Sequence, residues 1–269
     1  MVYSYEHLLP HHSVHPPQRC LECTHTINSL CAKVSAQSLA CIARFSHKIH
    51  LPPESLLIEE GSPAVASFII LSGTVRVFKS LADGRRQITG FVDAGQCINV
   101  GGCFEEDGEK GVYTFGAETI DNVHFCRFQH RNFNSLLTDL PDLWRALLAS
   151  VTEQVAEARE QMLLLGRKTA REKIASFLLH RLMLSFPESA LTDNTPIVRL
   201  PMSRVDIADY LGLTVETVSR TMSAFRREKF IMSAGHHALR VLNVAALRAM
   251  AHGNSIHGNS VTADNTLSS

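Results

Sequence analysis

The sequence predicts an α+β protein in which an N-terminal β-barrel or sandwich is followed by one long helix and a C-terminal pair of short helices. Short strand-like runs separated by turn residues fill about 41–135, as in SFIILSGTVRVFKS, the turn ADGRR and QITGFVDAG. Apolar residues then recur every three or four positions over about 136–166. Two short helical patterns interrupted by a glycine follow within 203–230.

Length and composition describe a globular chain with room for more than one domain. The 269 residues include 26 basic and 26 acidic side chains, and 45% of them are hydrophobic. Formal neutrality argues against unspecific coating of nucleic acid but permits a local basic surface. No apolar run approaches the ~18–20 residues of a membrane span, and the N-terminus does not resemble a secretory signal. We therefore expect a cytoplasmic protein with no membrane partner.

The segment 136–166 is expected to form one continuous helix about 40 Å long, at about 1.5 Å per residue. Its apolar stripe is narrow and heptad-like, as in a two-stranded coiled coil. We favour a dimer seam, because the helix is too long for a small barrel to cover; packing on its own barrel is the alternative. The stripe consists of Leu140, Trp144, Leu147, Val151, Val155, Ala158, Met162 and Leu165.

Residues 203–230 are typical of two helices joined by a tight turn. Ser203 caps the first helix with support from Asp206, and Gly212 ends it. Thr214 caps the second helix. The apolar residues of the first helix are Val205, Ile207, Ala208 and Leu211. In the second helix, apolar residues recur every three or four positions, so we expect them to form one buried stripe of Val215, Val218, Met222 and Phe225.

The other face of the second helix suits the major groove of DNA. Arg220 can pair with guanine O6 and N7, and Glu216 can accept from cytosine N4. A β-hairpin around Gly235 follows, as in a winged helix-turn-helix; an ordinary helical hairpin with a solvated face is the alternative. The predicted DNA-binding residues are Glu216, Ser219, Arg220, Ser223, Arg226 and Lys229, with phosphate the expected target of Arg226 and Lys229.

These observations divide the chain into five segments. They are a cysteine-containing sensor segment (1–40), a β-barrel sensory domain (41–135), a dimerisation helix (136–166), a winged helix-turn-helix DNA-binding domain (167–252) and a disordered tail (253–269).

This order of domains resembles the CRP/FNR superfamily of bacterial transcription regulators, and its FNR-type oxygen-responsive branch in particular. The resemblance covers about 18–250. Its most specific pieces are LGLTVETVSR at 211–220, GRRQITGF at 84–91, LSGTV at 71–75, and the cysteines at 20, 23, 31 and 126. It implies an N-terminal double-stranded β-helix barrel of the cupin-like, cyclic-nucleotide-binding type.

The resemblance also implies partners. It suggests a homodimeric activator of anaerobic or microaerobic gene expression that binds double-stranded DNA at palindromes similar to TTGAT-N4-ATCAA. The hairpin around Asp83-Gly84-Arg85 is similar to the family surface that touches RNA polymerase, with a solvated turn as the alternative.

The cysteines point to a metal cofactor. Cys20, Cys23 and Cys31 place three thiolates close together in sequence, and Cys126 would add a fourth. Thiolates are the usual ligands of a 4Fe–4S cluster, and the resemblance makes that cofactor the leading hypothesis. The seven residues before Cys31 depart from the commonest FNR spacing of five, which leaves Cys41 as the competing third ligand.

Several other interpretations of the cysteines stay open. They are a zinc site that includes His25, a Cys20–Cys23 redox pair, and a merely buried Cys126. Cys97 and Cys103 are expected to be structural.

A cyclic nucleotide is the rival signal in this superfamily. The segment that would bind its phosphate, GQCINVGGCFEEDGEKGVYTFGAET, contains no arginine. A cyclic nucleotide is therefore disfavoured as the signal. The alternative to oxygen sensing is an oxygen-insensitive regulator that uses zinc, thiol redox or a small ligand. No nucleophile elbow or phosphate loop occurs, so we do not expect an enzyme.

Overall fold

The computed structural model describes residues 29–99, 111–186 and 195–253. The chain forms two compact units. The first contains the described residues up to 163 together with 201–215, and the second contains the described residues of 164–200 together with 216–253.

The first unit is built around a β-sandwich. A 3₁₀ turn (Leu30–Lys33) and helix α1 (Ala36–Phe45) precede it, with Ser29 and Ser35 as their N-caps. The strands described there are β1 (Ser46–Leu51), β2 (Leu56–Ile58), β3 (Ala66–Ser72), β4 (Thr74–Ser80), β5 (Arg86–Asp93), β6 (Cys97–Ile98), β7 (Gly116–Thr119) and β8 (Val123–Gln129). Helices α2 (His130–Asp139) and α3 (Pro141–Arg167) follow.

The strands pair into two antiparallel sheets. Among the described residues, sheet 1 has the order β1-β8-β3-β6 and sheet 2 the order β2-β7-β4-β5. Gly73 makes the turn between β3 and β4 at φ +89°, and a Cβ there would lie 2.5 Å from the carbonyl oxygen of Asn122. Only glycine fits this turn, which lies within the LSGTV motif. The predicted succession of short strands is confirmed.

Alternate residues of each strand fill the interior between the sheets. Phe68, Ile70 and Phe125 project from sheet 1, while Val75 and Ala117 project from sheet 2. The Phe68 and Phe125 rings meet edge to face at 5.4 Å. This alternation gives each sheet an inner face and an outer face with a separate role.

The outer face of sheet 1 supports a second apolar cluster. Ile69, Cys97 and Phe128 of the sheet pack there with the turn before α1, with α1 and α2, and with the start of α3. From α3, this cluster contains Leu143, Ala146 and Leu147.

The prediction of one continuous helix from residue 136 is wrong. Helix α2 ends at Asp139, and Pro141 begins α3. Proline lacks the amide hydrogen that a helix interior uses, but at the first helical position that hydrogen would have no partner within the helix. The chain therefore bends here, which lets α2 and the first turns of α3 both pack on sheet 1.

Helix α5 (Arg204–Leu211) belongs to the first unit. Ser203 and Asp206 form a reciprocal capping box at its start, and Gly212 ends it in the left-handed region at φ 58°. Both boundaries agree with the prediction.

The second unit contains helix α4 (Ala170–Ser185), strand β9 (Ile197–Arg199), helix α6 (Val215–Arg227) from Glu216 onward, strands β10 (Ile231–Ser233) and β11 (Ala238–Val241), and helix α7 (Val244–Ala251). The predicted hairpin around Gly235 is confirmed as β10 and β11. Strand β9 was not predicted; its Val198 pairs with Leu239, giving a sheet of order β10-β11-β9.

Candidate nucleic-acid interface

Helix α6 separates a buried face from a polar face. Val218, Met222 and Phe225 are each at most 1% exposed, and Thr221 is also buried. The predicted DNA-binding residues lie on the exposed side: Glu216, Ser219, Arg220, Ser223, Arg226 and, just past the end of the helix, Lys229. The structure thus places the predicted reading residues together on a solvent-facing surface.

One residue of the predicted buried stripe is exposed. Val215, the first residue of α6, is 41% exposed, so its assignment to the stripe with Val218, Met222 and Phe225 is wrong. At the first position of a helix, the helical period alone does not determine which side is covered. Val205, an apolar residue of α5, is also exposed, at 49%.

Glu216 and Arg220 form an ion pair one helical turn apart. Their side chains are 68% and 79% exposed, so the pair contributes little to stability. It does hold the guanidinium beside the carboxylate on the outer face. The two groups therefore present a donor and an acceptor side by side, which suits a run of adjacent base edges.

The C-terminal end of α6 is fixed by Arg171 at the start of α4. The guanidinium donates to both carboxylate oxygens of Glu228, at 3.0 and 2.6 Å, and lies 5.1 Å from the Phe225 ring centre. The hydrogen bond from Arg171 holds the pKa of Glu228 below its usual value. Sequence reasoning missed Arg171, because its partners Phe225 and Glu228 lie 54 and 57 positions further along the chain and give no local signal.

The wing turn exposes two histidines. The rings of His236 and His237 are tilted by 47°, with their centres 5.0 Å apart. His237 adopts a φ of 53°, and Gly235 adopts a φ of 111°. The turn is closed by the Ala234 amide, which donates to the carbonyl of Ala238 at 3.1 Å. The wing is thus a tight, solvent-facing loop of the second unit.

The predicted dimer stripe on α3 divides into two groups. Leu140 and Leu147 are only 7% and 1% exposed and belong to the core on sheet 1. Trp144, Val155 and Met162 are 42%, 45% and 66% exposed. Val151 is half-buried, and Ala158 and Leu165 are exposed.

Sequence reasoning missed two exposed leucines of α3, Leu148 and Leu163, of which Leu148 continues the stripe. Leu148 is 56% exposed and lies four residues after Trp144 and three before Val151. The stripe therefore steps through residues 144, 148, 151, 155, 158, 162 and 165 in strict alternation of four and three. All of them are exposed except Val151, which is half-buried and also packs against the cluster on sheet 1. We call these seven residues the exposed stripe.

The described cysteines gather at the outer face of sheet 1. Cys31 is 5% exposed, Cys97 is 6% exposed, and the less buried Cys41 and Cys126 pack against the same apolar cluster. Cys97 and Cys126 lie on either side of Ile69 in register. Cys20 and Cys23 lie outside the described residues, as does Cys103.

Within the described part of the chain, no three His, Cys, Asp or Glu side chains are placed to hold a metal ion together. Soft thiols in an apolar setting nevertheless suit an iron–sulfur cluster. Cys31 and Cys126 are therefore compatible with two of its four ligands, and the remaining pair would come from residues 1–28.

The hairpin between β4 and β5 is exposed. Arg85 donates to Asp83 at 2.9 Å, and Gly84 turns at φ 86°. The three residues lie at the surface, where both a partner contact and a solvated turn fit.

Comparison with known proteins matches both parts of the chain. Residues 48–139 match the family described as the cyclic nucleotide-binding domain, and residues 172–250 match the Crp-like helix-turn-helix domain. In the described part of the chain, no helix is long and apolar enough to cross a bilayer.

Similar proteins extend over most of the chain. The nitrogen fixation regulation protein FixK of Bradyrhizobium diazoefficiens is 33% identical over 86% of this chain and 93% of its own length. The transcriptional activator protein FnrL of Cereibacter sphaeroides is 30% identical over 85% and 90%. The structure of FixK2 from Bradyrhizobium japonicum is 30% identical, covers 76% of this chain and 96% of its own, and has a TM-score of 0.64. These relatives are transcription regulators, which agrees with the expectation that the chain is not an enzyme.

Proposed function

The chain belongs to the CRP/FNR superfamily of DNA-binding transcription regulators, and from this premise we propose that it is an oxygen-responsive activator of the FNR type. Cys20, Cys23, Cys31 and Cys126 hold a 4Fe–4S cluster in this proposal. The protein binds palindromes similar to TTGAT-N4-ATCAA as a homodimer when oxygen is absent. The names of FixK and FnrL, a nitrogen fixation regulator and a transcriptional activator, are consistent with this role.

The observation that carries the proposal is the position of Cys31 and Cys126. Cys31 belongs to the apolar cluster that also contains Leu143, Ala146 and Leu147 of α3, and Cys126 packs against it. When bound, the 4Fe–4S cluster would supply an oxygen-labile link between the N-terminal segment and the sandwich. Loss of that link would act on the side chains packed against the first half of α3.

Polar contacts tie the same segment to α3. Asp142, in the first turn of α3, accepts from the Ser35 amide at 2.8 Å and from the Ser38 hydroxyl at 2.7 Å. Lys33 pairs with Glu153 at 3.2 Å, three turns further along the helix. A change at Cys31 therefore reaches α3 within a few residues of chain.

The exposed stripe of α3 is the proposed dimer seam. Regulators of this type act as dimers, and seven residues in strict heptad spacing, led by Trp144 and Leu148, leave an apolar surface for a second copy. Two copies would present two α6 helices to successive turns of the DNA groove.

Each of the predicted DNA-binding residues has a proposed contact with DNA. Arg220 donates to a guanine edge, with Glu216 as both its partner and an acceptor for cytosine N4. Ser219 and Ser223 contact bases or sugars beside them. Arg226 and Lys229 neutralise phosphates. RNA polymerase is the proposed partner of the hairpin at Asp83-Gly84-Arg85.

The sequence disfavours a cyclic nucleotide as the signal, because the segment expected to bind its phosphate contains no arginine. In the described part of the sandwich, the interior between the sheets is a packed core. Phe68 and Phe125 pack against each other there, and Tyr113 donates its hydroxyl to the carbonyl of Ala66 at 3.0 Å.

The test is purification without oxygen, followed by an absorption spectrum and analysis of iron, sulfide and zinc. We expect about four iron and four sulfide per subunit, a dimer, and specific binding to a TTGAT-N4-ATCAA duplex that is lost after exposure to air. Zinc without iron, with DNA binding indifferent to air, would favour the oxygen-insensitive alternative.

A further inference from the structure

The GRRQITGF motif at 84–91 contacts helix α5. Arg86, Gln87 and Phe91 of this motif all lie on β5 of sheet 2, and each touches α5. Arg76 of β4 and Gln161 of α3 contact the same helix. We name these five residues, Arg76, Arg86, Gln87, Phe91 and Gln161, the α5 cradle. We propose that they are positioning residues for DNA recognition, because they hold the helix that precedes α6.

The start of α5 is held by charge. Arg76 donates to Asp206 Oδ1 at 3.2 Å, and Arg86 lies 3.9 Å from the same oxygen. The Asp206 side chain is only 4% exposed and also accepts from the Ser203 amide at 2.8 Å. One buried carboxylate therefore both caps α5 and binds the helix to sheet 2.

Arg76 is itself fixed by sheet 2. Its side chain is 7% exposed and donates to Glu54 at 2.5 Å and to Glu118 at 2.7 Å. Burial alone would lower the pKa of Arg76, but the hydrogen bonds to Glu54 and Glu118 outweigh it and raise that pKa. The guanidinium is therefore a permanent, oriented charge for Asp206 to meet.

The end of α5 is held by side-chain amides. The last carbonyls of a helix have no partner within it. Here Gln87 donates to the carbonyls of Asp209 and Tyr210, and Gln161 donates to the Tyr210 carbonyl at 2.7 Å. The Phe91 and Tyr210 rings lie 5.2 Å apart.

The start of α5 thus contacts sheet 2, and its end contacts both sheet 2 and α3. Gln161 is next to Met162, which lies on the exposed stripe proposed as the dimer seam. Only Gly212, Leu213 and Thr214 separate α5 from α6. The contacts therefore link the surface that a second copy would cover to α5, the first helix of the helix-turn-helix. This part of the inference rests on the proposed dimer.

The test uses Gln87→Glu and Gln161→Glu in the full-length protein. Each change keeps the side-chain shape but turns a donor into a carboxylate that faces carbonyl oxygens at the negative end of α5. We expect affinity for the TTGAT-N4-ATCAA duplex to fall about tenfold per variant, the size of one or two lost hydrogen bonds. Affinity for unrelated DNA and the dimer content are expected to stay at wild-type values.

Hydrogen exchange on the DNA-free protein gives a second readout. The amides of α5 should lose about tenfold protection in both variants, while those of β8 keep theirs. Thr89→Ala on β5 and Glu160→Gln on α3 are the matched controls, since both residues are exposed and neither is part of the cradle.

Each outcome has a distinct meaning. Unchanged α5 exchange, or an unchanged or raised affinity for the duplex, would overturn the cradle proposal. If wild-type protein does not bind the TTGAT-N4-ATCAA duplex specifically, the proposed operator is wrong. The hydrogen-exchange measurement would still decide whether the cradle holds α5.

Discussion

The outer faces of the two sheets of the sandwich differ in chemistry. Sheet 1 carries Ile69, Cys97 and Phe128 beneath helices, and its outer cluster is apolar. Sheet 2 carries Arg76 and Arg86, which meet carboxylates of its own strands and of α5. One face thus suits soft thiol ligands and the other suits directed ion pairs.

The outer faces of the two sheets therefore suit different roles in one small sandwich. Apolar contacts such as those on sheet 1 have no fixed direction. Ion pairs such as those on sheet 2 are directed, and an arginine that loses its buried carboxylate is costly. The proposed signal at the outer face of sheet 1 and the proposed positioning of α5 at the outer face of sheet 2 fit these two kinds of contact.

The largest expected effect tests the outer face of sheet 1, which we call the first face. Cys31→Ser and Cys126→Ser, like Cys20→Ser and Cys23→Ser, should abolish iron binding in protein purified without oxygen, because a hydroxyl is a poor ligand for this cluster. Cys41→Ser and Cys97→Ser are matched controls within the same apolar cluster and should keep iron, as should Cys103→Ser. If Cys41→Ser loses iron while Cys31→Ser retains it, the third ligand is Cys41.

The second effect concerns α3, which starts at the first face and carries the exposed stripe. Val151→Glu should convert the anaerobic dimer to a monomer in sedimentation, because it would bury a carboxylate at the seam. Val151→Thr has a similar shape without charge and should remain largely dimeric. A fully dimeric Val151→Glu protein would place the subunit contact elsewhere.

The third effect contrasts the two faces directly. Arg76→Gln should destabilise folding by about 3 kcal/mol, because Asp206 and Glu118 lose their charge partner. Ile69→Ala should cost about 2–5 kcal/mol through the cavity it leaves. Double-mutant cycles with Asp206→Asn, measured by urea unfolding, separate the two effects, since only Arg76→Gln should couple to the change at Asp206. Additive effects in both cycles would remove the contrast between the faces.

The fourth effect belongs to the DNA surface. Arg220→Ala should weaken specific binding by ~1–3 kcal/mol per half-site and relax selectivity at one base pair. Arg226→Ala should weaken binding to all sequences alike and reduce the salt dependence. Binding to single-base operator variants at several salt concentrations measures both. A uniform loss for Arg220→Ala would reassign that residue to phosphate.

The smallest effect tests the polar edge of the first face. Burial alone would raise the pKa of Asp142, but hydrogen bonds from the Ser35 amide and the Ser38 hydroxyl lower it overall. The ionised carboxylate therefore contributes stability at neutral pH that is lost as the pH falls below ~4. Asp142→Asn should cost about 1 kcal/mol at pH 7, allowing for its partial exposure. The difference from wild type should disappear near pH 2; a difference that persists there would show that the carboxylate charge is not responsible.

Local features of the fold were readable from the sequence. Ser203 and Asp206 predicted the capping box of α5, and Gly212 predicted its end, because caps depend on residues within one turn. The exposed face of α6 followed from helical period and polarity. Pro141 also carried a local signal, and a continuous helix across it was the wrong inference from the period of the apolar residues alone.

Other features needed contacts between distant residues. Leu147 and Leu148 are adjacent and identical, yet the first is 1% and the second 56% exposed. Only the way α3 rests on sheet 1 separates them. Likewise, nothing near Arg76 in sequence indicates that its partner is Asp206, 130 positions later.

Period, caps and spacing in the sequence indicated the succession of strands in the sandwich, the two helices of the helix-turn-helix, the polar face of α6 and the cysteines that are candidates for a cofactor. Only the folded structure shows which apolar residues of α3 belong to the core and which are exposed. It also shows that residues of the GRRQITGF motif contact α5. Burial and ion pairing are properties of surfaces brought together by the whole fold, so no local pattern encodes them.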